Sequence, residues 1–356
     1  GPIVKDKLYF YGSYYRPERS RANQANSYGP LPEFNSTRNE GFGKLTFTPS
    51  QSLLFNLSYR DSKRVEKADL FASNSAPTTG SGSESIQKIA TLEGSWVISP
   101  RSFATLSYTH YENPTSGTPD FVSDAQPTSV IGTRLNIGAL DTQGRLTVPV
   151  PSTTLPATNA FVQPFIDRYG YTLNGARQGG GIVGYGSEFN DQDFFRDAAQ
   201  IGYNITLGNH ELHIGYERSK ESEELIRSSN GWGLITIPAG RVAAVGGQLP
   251  YFTARYQAQT TGAAFPIISD YESQSIEFND TIKWKNWAFN LGVLASNDTL
   301  YGQGLREDSS RLSGYVSAPG NRYKMYEIPF SKMIQPRVGA TWAYNGSDTV
   351  FVSYAR

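Results

Sequence analysis

The sequence predicts an all-β chain that forms a segment of an antiparallel transmembrane β-barrel, and three patterns lead to this fold. Apolar and polar residues alternate in segment after segment, tight turns alternate with long polar connections, and tryptophans gather beside the tight turns. A period of two is typical of a strand whose two faces meet different surroundings. We expect the apolar face to contact lipid and the polar face to line a wet interior.

The predicted strands begin with KDKLYFYGSYY at residues 5–15 and continue as five hairpins. Each hairpin has a short connection that carries turn-forming pairs such as Pro-Ser, Gly-Asn, Lys-Asn or Asn-Gly. The short connections are residues 47–53, 98–103, 207–211, 284–287 and 344–348. Together with the opening strand, which has no predicted partner hairpin, this gives about eleven strands.

Long polar stretches separate the hairpins, and they contain most of the glycine, proline, serine, asparagine and charge. They are residues 17–37, 61–85, 113–191, 220–271 and 298–333. Strict alternation with the tight turns places every long stretch at one end of the sheet. Compact globular domains rarely contain structureless loops of this length. Outer-membrane barrels combine short periplasmic turns with long extracellular loops, so this arrangement favours a barrel.

The alternation assigns residues to the two faces of each strand. Phe55, Leu57 and Tyr59 share the apolar face of one strand, and the same phase in other strands places Leu106, Ile201 and Leu291 on that face. Asp280 is the exception, because it falls in phase with Ile276, Phe278, Ile282 and Trp284. A carboxylate that faces the middle of a bilayer costs up to a few kcal/mol. We therefore expect a β-bulge at Asp280, or a position above the hydrocarbon.

Aromatic residues predict where the membrane interfaces lie. Four of the five tryptophans lie within about three residues of a short turn, namely Trp96, Trp284, Trp287 and Trp342. Tyrosines and phenylalanines gather nearer the long loops, among them Tyr14, Tyr59, Tyr108, Tyr111, Phe195 and Tyr216. Aromatic rings concentrate at both interfaces of a bilayer. The four tryptophans are therefore predicted to form the girdle at the short-turn end.

The composition excludes several classes of function. Lys plus Arg equals Asp plus Glu at 32 each among 356 residues, so no net charge attracts nucleic acid. The chain has no cysteine, which rules out disulfides and thiolate metal sites. No run of about 18 apolar residues is present, so no spanning helix is expected. The mean hydropathy of −0.44 is compatible with a barrel, because only about half of each strand faces lipid.

No pattern in the sequence predicts catalysis, a cofactor or a metal site, and we expect a protein that is not an enzyme. His210 and His213 in HELH are three residues apart across a turn and strand, whereas zinc proteases use a spacing of four on a helix. The NDQD stretch at 190–193 is interpreted as a solvated loop end rather than a calcium site. Large or planar groups on the long loops are the candidates for solute binding: Tyr169, Tyr171, Arg177, Trp232, Tyr251 and Tyr256.

Three stretches resemble a known family. GPIVKDKLYFYGSYY at the start resembles the segment that opens the barrel in Oar-like TonB-dependent transporters of Gram-negative bacteria. LTFTPSQSLLFNLSYRDS resembles the turn-and-strand unit that these proteins repeat. The closing IQPRVGATWAYNGSDTVFVSYAR is similar to their late-barrel pattern. The likeness extends thinly along the whole chain and is concentrated in these three places.

The resemblance implies a 22-stranded outer-membrane barrel, closed by an N-terminal plug, that imports a solute with energy delivered through TonB. Residues 1–356 would then be a partial barrel domain, with about half of the strands and without the plug and TonB box. The implied partners are outer-membrane lipid, the TonB complex through the N-terminal region, and an extracellular solute such as a siderophore, cobalamin, a glycan or a peptide. The resemblance does not identify which solute is imported.

The sequence is also compatible with two other interpretations. The chain could belong to a surface adhesion or binding barrel, which the presence of a plug and TonB box elsewhere in the protein would argue against. It could also be a soluble all-β module that binds carbohydrate, either a sandwich or a propeller. A sandwich needs short loops at both ends, and a propeller needs an internal repeat of about 40–50 residues. Neither feature is present, so both soluble folds are disfavoured.

Overall fold

The fold was obtained as a computed structural model, which describes residues 1–69, 71–124, 136–237, 251–253, 259–260, 263–264, 267–346 and 348–355. Within these ranges the chain consists mainly of antiparallel strands, with one α-helix and four short 3-10 turns. No helix among these residues is long and apolar enough to cross a membrane. The structure therefore confirms the predicted all-β class.

The strands, in chain order, are β1 (Pro2–Val4), β2 (Leu8–Tyr15), β3 (Glu18–Arg21), β4 (Phe34–Ser50), β5 (Leu53–Lys67), β6 (Ser81–Ser99), β7 (Ser102–Pro119), β8 (Arg145–Thr147), β9 (Tyr171–Leu173), β10 (Ala176–Gln178), β11 (Ile182–Gly184), β12 (Glu188–Leu207), β13 (His210–Ser229), β14 (Leu234–Thr236), β15 (Tyr251–Thr253), β16 (Gln259–Thr260), β17 (Ala263–Ala264), β18 (Ile267–Trp284), β19 (Trp287–Glu307), β20 (Tyr315–Ile328), β21 (Ile334–Ala343) and β22 (Thr349–Ala355). The helix α1 spans Asn159–Tyr169, and the 3-10 turns span Pro77–Thr79, Ile137–Thr142, Pro156–Thr158 and Phe330–Lys332.

One large sheet contains the predicted strands in an up-and-down meander. Its order is β1-β2-β4-β5-β6-β7-β12-β13-β18-β19-β21-β22, with β3 paired to β4 and β20 paired to β19. The eleven longer strands of this path are the eleven predicted ones. The opening strand, β2, was predicted to have no hairpin partner. In the structure β1 pairs with it across a tight turn. Asp6 adopts a positive φ of 62° in that turn, a conformation that aspartate tolerates better than most residues.

The strands extend much further toward the long loops than predicted. The mixed-charge segment 61–67 belongs to β5, and residues 113–119, 220–229 and 298–307 continue β7, β13 and β19. Cross-strand ion pairs such as Lys63–Glu84 at 2.6 Å hold these polar extensions together. The sequence suggested loops there because the apolar alternation ends, although the backbone pairing continues beyond it.

Lateral neighbours in the large sheet form rows that are either apolar or polar. One row crosses ten strands through Leu8, Phe47, Phe55, Gly94, Leu106, Ile201, Tyr216, Ile276, Ala295 and Ile334. An adjacent row crosses eight strands through Thr46, Asn56, Glu93, Ser107, Gln200, Glu217, Ser275 and Ser296. The two faces of the sheet therefore differ consistently from strand to strand.

Among the residues that the structure describes, no second layer of protein covers the apolar face. Leu106, Ile201 and Leu291 are 37%, 55% and 42% exposed, and Phe55 is half-buried. In a soluble sandwich these side chains would pack against a second sheet. Their exposure agrees with the prediction that this face contacts lipid.

The rows are staggered in the manner that a barrel requires. The number of residues between the apolar row and the short-turn end of the strand grows by two at each hairpin. It is two from Phe55 to Leu53 and four from Leu106 to Ser102. It is then six from Ile201 to Leu207 and eight from Ile276 to Trp284. A stagger of one residue per strand tilts the strands by about 35° when the rise is about 3.3 Å and the strand spacing about 4.8 Å. This tilt lies at the lower end of the range for transmembrane barrels.

Asp280 lies on the apolar face, but the expected bulge is absent. Its pairing with Leu212 and Leu291 is regular on both sides. The Oδ2 atom of Asp280 lies 2.7 Å from Nδ1 of His210, which belongs to the neighbouring strand on the same face. His210 thus provides one polar partner, whereas Oδ1 of Asp280 is buried and has no hydrogen-bond partner among the described residues. A position above the hydrocarbon remains a prediction.

The four tryptophans of the predicted girdle lie at the short-turn end. Trp287 is in register with both Trp284 and Trp342, so three indoles lie side by side on neighbouring strands. The rings of Trp287 and Trp342 stack with centroids 5.5 Å apart. Trp96 and Trp284 are about half exposed. Their role as a membrane-interface girdle remains a prediction.

The connections at the other end form a folded domain, which was not expected. We call residues 120–124, 136–187, 230–237 and 251–253 the loop domain. Its core contains Leu140, Leu146, Val148, Val162, Phe165, Ile166, Tyr169, Val183, Trp232, Ile235 and Ile237, and a small sheet of order β11-β8-β14-β15 belongs to it. The helix α1 presents Val162, Phe165, Ile166 and Tyr169 to this core. Helical structure was predicted to be almost absent, although these four residues follow the i, i+3, i+4, i+7 spacing of a helix.

Side chains tie the neighbouring loops to the loop domain. The amide of Asn26 donates to the carbonyls of Ala72 at 2.9 Å and Ser75 at 2.6 Å. The Tyr28 hydroxyl donates to the Tyr169 carbonyl at 3.0 Å. The Asn74 amide donates to the carbonyl of Gly180. Connections from four hairpins are thereby joined into one body.

Tyr28 provides a prediction about this joint. Burial raises its pKa to about 12, above the ordinary value of about 10. Because the folded state favours the neutral phenol, the contact stabilises the loops below about pH 10 and is lost as pH rises toward 12. We expect Tyr28→Phe to remove this pH dependence and to weaken attachment of loop 16–33 by about 0.5–1.5 kcal/mol at neutral pH. Hydrogen exchange of that loop checks the neutral-pH effect, with exposed Tyr11→Phe as control.

Candidate functional site

A cleft opens on the polar face of the large sheet, near the ends of the strands that carry the loop domain. Its volume is about 480 Å³, within the usual size range for small-molecule sites. One row of lateral neighbours supplies its floor: Tyr111, Arg196, Glu221, Tyr271 and Leu300. The next row adds Asn113, Phe194, Glu223 and Ser269. The cleft is therefore built by five neighbouring strands, from β7 to β19.

Large apolar side chains lie exposed in this cleft. Phe194, Tyr271 and Leu300 are 39%, 36% and 42% exposed, and Tyr111 is partly exposed beside them. Nearer the short turns the same face presents mostly Ser, Thr, Asn, Gln and Glu. An exposed apolar patch with a polar rim is typical of a binding site.

The polar groups of the cleft are mostly acidic. Nε of Arg196 lies 3.3 Å from an Oε atom of Glu221, and both side chains are about half exposed. Glu223 accepts a hydrogen bond from the amide of Gln192. The Tyr271 hydroxyl donates to Oδ1 of Asp298 at 2.8 Å. One guanidinium thus stands against three carboxylates at this position of the sheet.

The solute-binding candidates predicted from the sequence lie elsewhere. Trp232 and Tyr169 are each only 4% exposed in the core of the loop domain, and the Tyr169 hydroxyl accepts from the Leu140 amide at 3.1 Å. Arg177 donates to the carbonyls of Asp167 and Arg168 at the end of α1, both at 3.0 Å.

Of the other three candidates, the structure describes the side chain of Tyr171 only. The Tyr171 ring meets the edge of Tyr28 with centroids 5.7 Å apart. Tyr251 lies in β15, where the structure describes the backbone only, and Tyr256 lies outside the described residues. None of the four candidates whose side chains the structure describes lines the cleft. A role in contacting solute therefore remains a prediction for all six, and burial argues against Trp232 and Tyr169.

The sequence analysis did not name the cleft residues as candidates for solute binding. One feature of the sequence could have identified them, namely aromatic residues on the polar face of a strand. Tyr111 was assigned to an aromatic girdle with Tyr108, yet the two are three positions apart and face opposite sides of β7. Phe194 is likewise out of phase with Phe195 and Ile201, which lie on the apolar face. Aromatic residues on the polar face near the loop end mark the cleft.

Two sequence motifs have structural explanations. His210 and His213 face opposite sides of β13; His210 contacts Asp280, and His213 contacts Asn204 at 2.9 Å and Glu277 at 2.8 Å. The NDQD residues alternate between the two faces of β12 rather than forming a loop base. In the described ranges, no group of three or more His, Cys, Asp or Glu side chains is arranged to hold a metal ion.

Comparison with known proteins shows the fold. No family model matches the chain, and no curated protein matches it by sequence. The chain is similar to the solved open form of the ferric-catecholate import receptor Fiu from E. coli K12, with a TM-score of 0.53 and 10% identity over 99% of this chain. It is also similar to the ferric yersiniabactin uptake receptor FyuA from Yersinia pestis, with a TM-score of 0.51 and 11% identity over 99% of this chain.

These similarities establish the class of fold, which is that of an antiparallel barrel segment. The chain spans 51% of the length of Fiu and 42% of that of FyuA. The two matched proteins are import and uptake receptors, not enzymes, which agrees with the prediction that this chain is not an enzyme.

Proposed function

We propose that this chain forms about half of the barrel of a TonB-dependent active importer in the outer membrane of a Gram-negative bacterium. The observation that carries the proposal is the solute-sized cleft on the polar face of a barrel-type sheet, next to a folded loop domain. Such a cleft would lie inside the barrel, where a solute has to pass. Its lining combines exposed apolar groups with a few polar ones, as small-molecule sites do.

The two sheet edges support the idea that further strands complete the barrel. Phe351, Val352 and Tyr354 on β22 are between 61% and 76% exposed, and Tyr11, Tyr14 and Tyr15 on β2 are similarly exposed. An open edge leaves backbone N–H and C=O groups that lipid cannot satisfy. We infer that the remaining strands of a 22-stranded barrel, a plug and a TonB box belong to the same protein, and that it falls in the Oar-like branch.

Uptake measurements test the import function. Cells that produce the protein as its gene encodes it are compared with cells that lack it, using a radiolabelled ferric siderophore, cobalamin, an oligosaccharide and an oligopeptide. We expect at least one probe to accumulate only when the protein is present, and a protonophore to abolish its accumulation. A probe that binds the cell surface equally with and without the protonophore, and does not accumulate, would instead support the adhesion barrel.

A further inference from the structure

We infer that the cleft between β7 and β19 takes a cationic solute that carries an apolar or aromatic group. The inference rests on the proposed import function for the location of the cleft inside the barrel. It goes beyond that function because it specifies the charge and shape of the solute.

The walls of the cleft select for an apolar or positively charged group. Tyr111, Phe194 and Tyr271 come from three different strands, and they surround one cavity. Aromatic faces attract ammonium and guanidinium groups, with about 0.5–1 kcal/mol at exposed sites. The same rings provide contact area for an apolar group on the solute.

The charges of the cleft favour a cation over an anion. Glu221 forms an ion pair with Arg196 at 3.3 Å, whereas Glu223 has an amide as its described partner. Asp298 accepts from the hydroxyls of both Tyr271 and Ser273. These donors are neutral, so the negative charges of Glu223 and Asp298 are not compensated by a described ion pair.

Charged side chains that surround the cleft on the polar face do not reverse its excess of negative charge. Toward the short turns, the polar face carries Glu217, Glu277 and Glu93, of which only Glu277 contacts a histidine. Toward the loops, the next cation on β13 is Arg227, whose Nε donates to Asn190 at 2.6 Å. Arg227 is four residues from Glu223, or about 13 Å along the strand. Beyond Tyr111 the cleft row continues through Ile89 to Arg60, which is paired with Glu40 at 2.8 Å. On the strands from β12 to β19, an anionic solute would therefore meet a predominantly acidic wall.

Binding of charged peptides to the unaltered protein tests the inference directly. Outer-membrane vesicles that contain the protein as encoded are titrated calorimetrically with Lys-Lys-Phe-Lys-Lys, Glu-Glu-Phe-Glu-Glu and Lys-Lys-Ala-Lys-Lys. Vesicles without the protein give the background. We expect the first peptide to bind at least about tenfold more tightly than the second and about two- to fivefold more tightly than the third. Equal or tighter binding of the acidic peptide would overturn the inference.

Two variants locate the effect. Glu223→Gln keeps an acceptor for Gln192 and is expected to weaken binding of Lys-Lys-Phe-Lys-Lys about two- to fivefold. Glu93→Gln removes the same charge from the same face on β6, three strands away from β13 and nearer the short turns, and we expect no change. If both variants weaken binding equally, the general charge of the barrel interior attracts the peptide, and the assignment to this cleft is wrong.

The binding and uptake results can fail separately. If the cationic peptide binds at the cleft but is never accumulated, the import function is wrong while the chemistry of the cleft is retained. If cells accumulate an anionic probe through this protein and the cationic peptide does not bind, the import function stands and the inference about the solute is wrong.

Discussion

Replacing Ile201 with arginine is expected to destabilise the membrane-inserted barrel by about 2–4 kcal/mol. Ile201 is 55% exposed on the apolar face, and its lateral neighbours are Leu106 and Tyr216. If this face contacts hydrocarbon, a guanidinium there has to be transferred from water into lipid. Urea unfolding of the protein as encoded, in lipid vesicles, measures the change.

The matched control is arginine at the preceding position. Gln200 lies on the polar face between Ser107 and Glu217, where an arginine remains in water beside a carboxylate. We expect Gln200→Arg to change the free energy of unfolding by less than about 0.5 kcal/mol. Similar losses at both positions would contradict the assignment of the two faces, because they would show that neither side is selectively in contact with lipid.

Replacing Asn230 with alanine is expected to have the largest effect on the loop domain, about 3–5 kcal/mol. Asn230 is fully buried. Its Oδ1 accepts from the Ser123 amide at 2.8 Å, and its Nδ2 donates to the carbonyls of Phe121 at 2.8 Å and Gly186 at 2.9 Å. Alanine would leave two buried backbone groups and one partly buried group without these partners, and each buried group costs about 1–3 kcal/mol. Hydrogen exchange of α1 and β8 checks the expected loss of protection.

Two further variants control the Asn230 experiment. Asn209→Ala changes an exposed asparagine in the short turn between β12 and β13, and should leave exchange in the loop domain unchanged. Asn230→Asp conserves size but replaces the donating amide with a carboxylate that faces two carbonyls. It should therefore destabilise the loop domain at least as much as alanine. If exchange in α1 is unaffected by either Asn230 variant, this side chain does not hold the loops together.

The sheet could be predicted from the sequence because apolar and polar residues alternate in the same way in every strand. The phase that placed Phe55 and Leu106 on one face predicts a row that the register confirms across the sheet. The short turns were equally predictable, since Gly208 needs its positive φ of 62° there. The pairing of the polar extensions was not predictable, because an ion pair such as Lys63–Glu84 gives no periodic apolar signal.

The loop domain and the cleft depend on contacts that are distant in sequence. Trp232 resembles an exposed loop aromatic until it is packed against Leu146 and Ile166, which precede it by more than sixty positions. The cleft requires the lateral pairing of Glu221 with Tyr271, which is fifty residues further along the chain. Turn positions predict the strands that pair, but they do not determine register closely enough to identify such neighbours.

The central claim is that the apolar face of the sheet contacts lipid, and cysteine labelling tests it most directly because the chain has no cysteine of its own. Nitroxide labels are placed singly at Phe55, Leu106, Ile201 and Leu291, and in matched variants at Asn56, Ser107, Gln200 and Asn290. The account predicts that membrane-dissolved oxygen relaxes the first set more strongly, and that a water-soluble nickel chelate relaxes the second set more strongly. Labels of the first set that are shielded from both reagents would show that protein covers this face, and would contradict the account.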